Sequence, residues 1–247
     1  MIHWFGILRS LVIYWRPGRQ KRLQEFYAPF VGADDLVFDI GAHLGDRSAA
    51  FAALGARVIA LEPQPHLVPW LRRLTAKSGR VKIRVEAIGA APGNAQLAVS
   101  VLTPTVSTVA AGWRHRMSSG HPGFRGVQWG HTLQVRVTTL DDLVATYGEP
   151  TFCKIDVEGA EAEALAGLSR SIEALSIEFV RGAEDIALAC VDRLEELAQY
   201  QYNAVQGEAR EFMFDEWVDA PAMRAWLAEG AGGVSSGDLY ARRVTLA

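Results

Sequence analysis

The chemistry legible in this chain lies in carboxylates that end apolar runs. Asp39 follows Leu36-Val37-Phe38, Glu62 ends Arg57-Val58-Ile59-Ala60-Leu61, and Asp156 and Glu158 follow Thr151-Phe152-Cys153-Lys154-Ile155. Short continuous apolar runs are what strands buried on both faces of a parallel sheet look like, and the C-terminal edge of such a sheet is its ligand crevice. Acids from three strands would then share one rim, where they can accept hydrogen bonds from hydroxyl and amino groups. The plainer alternative for each is a polar strand end that meets only water.

The elements around Asp39 sharpen the first of these. Gly41 and Gly45 punctuate the chain after the strand, and a residue without a side chain allows positive φ and close approach of a ligand. Asp46 is expected as the N-cap of a helix through Ala49, Ala50, Phe51, Ala52, Ala53 and Leu54, whose first turn presents unpaired N–H groups and a positive dipole end. Glu62 lies about 20 positions beyond the turn, where an acid can hold ribose hydroxyls. The spacing Gly41-x-x-x-Gly45 lacks the G-x-G-x-x-G series that brings a backbone up to a pyrophosphate, so a nucleoside cofactor without phosphates fits better.

Taken together, Asp39-Ile40-Gly41-Ala42-His43-Leu44-Gly45, Leu61-Glu62-Pro63, Thr138-Thr139-Leu140-Asp141 and Lys154-Ile155-Asp156-Val157-Glu158-Gly159-Ala160-Glu161 resemble the FkbM-type S-adenosylmethionine-dependent methyltransferases. The resemblance covers roughly residues 35–180, and its last segment is the most specific. It implies an α/β fold of the Rossmann-like class I methyltransferase type, with a mostly parallel seven-stranded sheet and helices on both faces. It also implies methyl transfer from S-adenosylmethionine, typically to a hydroxyl on a saccharide or natural-product acceptor. Asp39, Gly41, Ala42 and Gly45 would contact the methionine part of the cofactor, with His43 at the position where the family commonly carries asparagine. Glu62, followed by Pro63, would hold the ribose; Glu86, Ala87 and Ile88 would lie near the adenine; and Asp156 would sit beside the sulfonium and the acceptor.

Methyl transfer is an in-line displacement by a nucleophilic oxygen, so the protein mainly positions the partners and removes a proton. Asp156 is the expected orienting group and general base. A carboxylate of ordinary pKa, about 4, is a weak base for an alcohol, so burial or Glu158 would have to raise it. Between Leu102 and Leu133 lies a stretch rich in Gly, Ser, Trp and His, and a loop of that length is functional or disordered. Its Ser107, Thr108, Trp113, His115, His121, Trp129 and His131 could form the acceptor pocket, with a histidine such as His131 taking the hydroxyl proton. A catalytically silent cofactor binder and an NAD-dependent oxidoreductase remain open alternatives at this level.

The chain has 247 residues, 49% of them hydrophobic and 21% charged, enough for one large α/β domain. An N-terminal helical segment, residues 1–33, is expected ahead of a methyltransferase domain at 34–247. A net charge of −3 and no dense basic run interleaved with aromatics give no reason to expect a nucleic-acid partner. Cys153 and Cys190 fall in a predicted strand and helix and read as packed small residues. Asp156 and Glu158 could hold Mg²⁺ with a third oxygen ligand, but no third ligand is evident in the sequence and no metal is expected.

Residues 2–15 are apolar and aromatic, with Arg9 inside and Arg16, Arg19, Lys21 and Arg22 after them. The run is too short to span a bilayer, and its charges lie on the wrong side for a signal peptide. The expected location is the cytoplasm. The segment is either a helix packed on the domain or an interfacial helix that makes peripheral membrane contact.

The remaining elements are strands at 81–85, 95–102, 133–137, 174–180, 201–205 and 238–242, and a helix at 184–199. A late helix at 212–227, restarted at Pro221, and a flexible connection at 230–237 complete the pattern.

Overall fold

The computed structural model describes residues 2–100, 106–110, 112–113, 116–117, 127 and 129–244. Two helices, α1 (Ile2–Tyr14) and α2 (Arg19–Tyr27), precede β1 (Leu36–Ile40), whose five residues are all buried. Then come α3 (Asp46–Ala53), β2 (Arg57–Leu61), α4 (Val68–Thr75) and β3 (Val81–Arg84). After β4 (Ala87–Ile88), β5 (Gly93–Ser100) and β6 (Trp129–Thr138), the α/β alternation resumes with α5 (Leu140–Tyr147), β7 (Phe152–Ile155), α6 (Glu161–Ala166), β8 (Ala174–Val180) and α7 (Glu184–Leu197). The chain closes through β9 (Tyr200–Gln206), α8 (Ala220–Ala228) and β10 (Ser236–Arg243).

Seven strands form one sheet in the order β3-β2-β1-β7-β8-β10-β9. Its pairings are parallel except at β10, which runs antiparallel to both neighbours. The strand order reverses between β1 and β7, which makes their C-terminal ends the crevice of an open α/β sheet. The alternation of side chains along β1 divides the core into two layers. Leu36, Phe38 and Ile40 pack with Leu165, Val191 and Leu194. Val37 packs on the other side with Phe51, Phe152, Tyr240 and, from α2, Leu23 and Tyr27.

Several local expectations change. The strands expected at 95–102 and 133–137 leave the main sheet and pair in a second one of order β4-β6-β5. The late helix does not begin at Phe212. Phe212 and Val218 bridge to Val205 and Tyr202 of β9, and the helix starts only where Asp219 accepts from the Ala222 N–H at 3.0 Å, with Pro221 in its first turn. Within 230–237 a short helical turn, Ala231–Gly233, and the start of β10 occupy what was expected to be flexible. Gly45, in the left-handed region at φ 75°, takes the N-cap position expected for Asp46. The Asp46 carboxylate is engaged elsewhere, by Arg19. Among the described residues no helix is long and apolar enough to cross a membrane.

Candidate active site

A cavity of about 230 Å³ opens at the C-terminal ends of β1, β2 and β7. Its wall includes Asp39, Gly41, Ala42, His43, Glu62, Pro63, Glu86, Ala87, Ile88, Asp156 and Glu158, so the three motifs converge as the sequence implies. Gly41 joins two of them. Its φ is 82°, and a Cβ there would collide with the Asp156 carbonyl oxygen, so only glycine lets the exit of β1 lie against the end of β7. Gly45 is not in the wall; a side chain on it would collide with Leu71 of α4, and its part is to let two helices approach.

His43 occupies the left-handed region at φ 51°. Asn, Asp and His adopt that conformation more readily than other side-chain-bearing residues, which explains how histidine replaces the family's asparagine. The half-buried ring stands edge-on to Tyr14, 5.5 Å between centroids, and desolvation pushes its pKa down to about 4. His43 is therefore neutral at physiological pH.

Glu62, 2% exposed, accepts from the backbone N–H of His43 at 2.8 Å and of Gln64 at 2.9 Å, one on each oxygen. Burial outweighs these bonds and pushes its pKa up to about 7. Asp39 accepts from the Ser48 hydroxyl through Oδ2, while its buried Oδ1 has no partner among the described residues. Arg47 also lines the cavity; its terminal nitrogens already pair with Asp46 at 3.5 Å and Glu208 at 3.1 Å, and only its buried Nε lacks a partner in the same sense. A buried acceptor and a buried donor left open are costly unless something completes them. The pair is the complement of an α-amino acid, whose ammonium would meet Asp39 and whose carboxylate would meet Arg47. These residues fit the methionine end of S-adenosylmethionine, and Glu62 offers a second lone pair on each oxygen for ribose hydroxyls.

The acids from β7 behave differently from expectation. Burial alone would raise the Asp156 pKa, but the Lys154 ammonium at 2.7 Å, with Arg47 behind it, holds the carboxyl below the usual range. Lys154 is 1% exposed and stays protonated because Asp156 and Asp39 offset its burial. Glu158 is instead raised well above the usual carboxylate range, by burial and then by Asp156 and Glu161. Glu158 stands in the left-handed region at φ 56°. Its turn is pinned from both sides. Thr108 donates to the Glu158 carbonyl at 2.6 Å, and Glu161 accepts from the N–H groups of Val157 and Gly159, both at 3.0 Å. The last acid of the Asp-Val-Glu-Gly-Ala-Glu segment thus shapes the loop. In Thr138-Thr139-Leu140-Asp141, Thr139 caps α5 in a reciprocal box with Asp142.

Sequence reasoning missed Lys154, Glu178, Asp238 and Tyr14 as cavity residues. A lysine inside the apolar run Phe-Cys-Lys-Ile was the available signal, since a buried lysine needs a partner. Glu178 of β8 is the third carboxylate that the sequence did not reveal. Its oxygen lies within 4.8 Å of those of Asp156 and Glu158, close enough that the three could hold a cation. Asp238 of β10 is pushed up to about 6 by burial. From the long loop, Ser107 reaches the cavity and donates to Gln64 at 2.9 Å. Trp113 and Trp129 pack in a small apolar cluster with Met117 and Val180. His131 is exposed on β6, opposite Val99, and is not in the cavity wall. His115 and His121 lie outside the described residues.

A doubly wound sheet with this strand order, a phosphate-free glycine turn and an acid on the second strand defines the Rossmann-like S-adenosylmethionine-dependent methyltransferases. Within that class the chain belongs to the methyltransferase FkbM domain family, whose profile matches residues 39–232. It is 28% identical over 150 residues to the hexuronic acid methyltransferase AglP of Haloferax volcanii, a match covering 60% of this chain and 54% of that protein; the chain thus spans about half the length of this relative. Among solved structures it is similar to precorrin-6y C5,15-methyltransferase from Geobacter metallireducens, with 12% identity, 93% of this chain and 89% of that chain covered and a TM-score of 0.48. A further likeness is to a SAM-dependent O-methyltransferase from Thermotoga maritima, with 12% identity, 94% and 67% coverage and a TM-score of 0.43.

Proposed function

We propose that the chain methylates a hydroxyl oxygen on a small saccharide or natural-product acceptor. When bound, S-adenosylmethionine supplies an electrophilic methyl group on a positively charged sulfur. Asp39 and Arg47 would hold its amino-acid end, Glu62 its ribose, and Glu86, Ala87 and Ile88 its base. The observation that carries the reading is that Asp156, ion-paired with buried Lys154 at 2.7 Å, and Glu158 face the same cavity, the first carboxyl held below and the second raised above the usual range. Asp156, kept anionic by Lys154, accepts the acceptor's O–H and aims its oxygen. It is too weak a base to remove the proton alone. Glu158, once ionised, is the stronger base and would take that proton as the oxygen–carbon bond forms and the carbon–sulfur bond breaks, with S-adenosylhomocysteine leaving. Two carboxyls whose environments push their pKa values apart suit such a division of roles. The matched relative is named a hexuronic acid methyltransferase, which supports a saccharide as the acceptor.

The test is a screen of sugars, glycosides and phenolic scaffolds for release of S-adenosylhomocysteine, repeated with Asp156→Asn and Glu158→Gln. The reading expects turnover on a hydroxyl acceptor that rises with pH in the wild type, and losses in both variants with cofactor affinity kept within a few-fold. Methylation of nitrogen or carbon, or unchanged turnover in both variants, would overturn it.

A further inference from the structure

Helix α1 is apolar on both sides but packed on only one. Ile7 is buried with Leu44 and Leu67, and Leu11 and Trp15 pack beside Trp70 and Leu74. On the other side Leu8, Val12 and Ile13 are 52%, 72% and 40% exposed. These are three of the five large apolar side chains found exposed among the described residues, and they fall within six positions of one another. At about 100° per residue, Leu8, Arg9, Val12 and Ile13 share a single face, and Arg16 follows in line just past the helix end. Arg9, Arg16, Lys21 and Arg22 are all exposed. The first 24 residues carry five Lys or Arg and no Asp or Glu, in a chain whose net charge is −3.

An isolated apolar face with fixed positive charge beside it selects its partner by charge. A second copy of the chain would bring Arg9 and Arg16 against their own counterparts, whereas an anionic surface would meet them with phosphate. At about 1.5 Å per residue the 13 residues of α1 fall short of a hydrocarbon core of about 30 Å, so the helix suits the interface and not a span. We propose that the exposed face of α1 docks flat on an anionic lipid bilayer, with Leu8, Val12 and Ile13 among the acyl chains and Arg9 and Arg16 at the headgroups. The same helix ends at Tyr14, which lines the cavity. Docking therefore sets the active site beside the membrane surface.

The full chain is sedimented with vesicles of phosphatidylcholine alone and of phosphatidylcholine with phosphatidylglycerol. It is expected to pellet with the anionic vesicles, to bind the neutral ones far less, and to be released by high salt. Val12→Glu should weaken partitioning by about tenfold or more, with its melting temperature and S-adenosylmethionine affinity unchanged. The paired variant Arg9→Glu, Arg16→Glu should remove the preference for anionic lipid. Failure to bind anionic vesicles, or equal binding by Val12→Glu, would overturn the proposal. So would a dimer in analytical ultracentrifugation that Val12→Glu dissolves, which would assign the face to a second copy.

Discussion

Asp39 and Lys154 are register partners on the adjacent parallel strands β1 and β7. Both belong to the face that carries Val37 and Phe152, so the ammonium of Lys154 lies among the acids of the cavity floor. It donates to Asp156 at 2.7 Å and draws the Asp39 carboxyl downward against burial. One buried cation thus holds the Asp156 carboxyl below the usual range and tempers the upward shift of Asp39.

Replacing Lys154 by methionine retains volume and leaves those carboxylates without their counter-charge. Breaking such a pair from one side costs about 3 kcal/mol, which denaturant unfolding would show. The Asp156 pKa is depressed in the folded state, so the stability it contributes is present above its unfolded value and is lost only as pH falls below that. In Lys154→Met burial alone raises both carboxyls above their unfolded values, so the loss is expected to grow as pH rises from 5 toward 8. A loss of the same size at pH 5 and pH 8 would point to another group.

Glu62 has the opposite sign. Its pKa is raised from 4.5 to about 7, so the stability attached to its proton is complete below pH 4.5 and is lost as pH rises through 7, by roughly 3 kcal/mol in the unliganded protein. Glu161, raised to the same value, adds a loss in the same window. On the proposed reading ribose hydroxyls would donate to the ionised form of Glu62, so S-adenosylmethionine should bind more tightly as pH rises from 6 to 8. Glu62→Gln should bind weakly at every pH in that range, and its thermal unfolding should show a smaller drop between pH 5 and 7.

His43 tests conformation against chemistry. His43→Asn should preserve the φ 51° turn, the melting temperature and cofactor affinity. His43→Val places a β-branched residue in the left-handed region and should cost about 1–2 kcal/mol. Loss of turnover in His43→Asn with stability and affinity intact would show that the imidazole takes part in the reaction.

The parts of this site legible in the sequence are those held by local pattern. The apolar runs of β1, β2 and β7, the Gly41 turn and the acids at the strand ends all follow from neighbours along the chain. Glu178 and Asp238 were hidden because they enter the cavity through sheet order, β8 beside β7 and β10 antiparallel beside β8. Tyr14 was hidden because only the packing of α1 brings it to His43. Asp46 reads as a cap by type, yet its carboxylate accepts from buried Arg19 at 2.7 Å, a partner 27 positions away. The helix expected from Phe212 failed for the same reason, since bridges to β9 hold residues 212 and 218 extended.

Asp39 Oδ1, which has no partner among the described residues, is expected to complete its bonding with the amino group of S-adenosylmethionine. Isothermal calorimetry of the wild type and Asp39→Asn measures this directly, with NAD as the control ligand. Removing a buried charge-assisted bond of about 1.5–3 kcal/mol should weaken S-adenosylmethionine binding by about ten- to a hundredfold, while Asp39→Asn melts no lower than wild type and NAD gives no binding heat. Equal affinity for S-adenosylmethionine in the two proteins, or tight binding of NAD by the wild type, would contradict it.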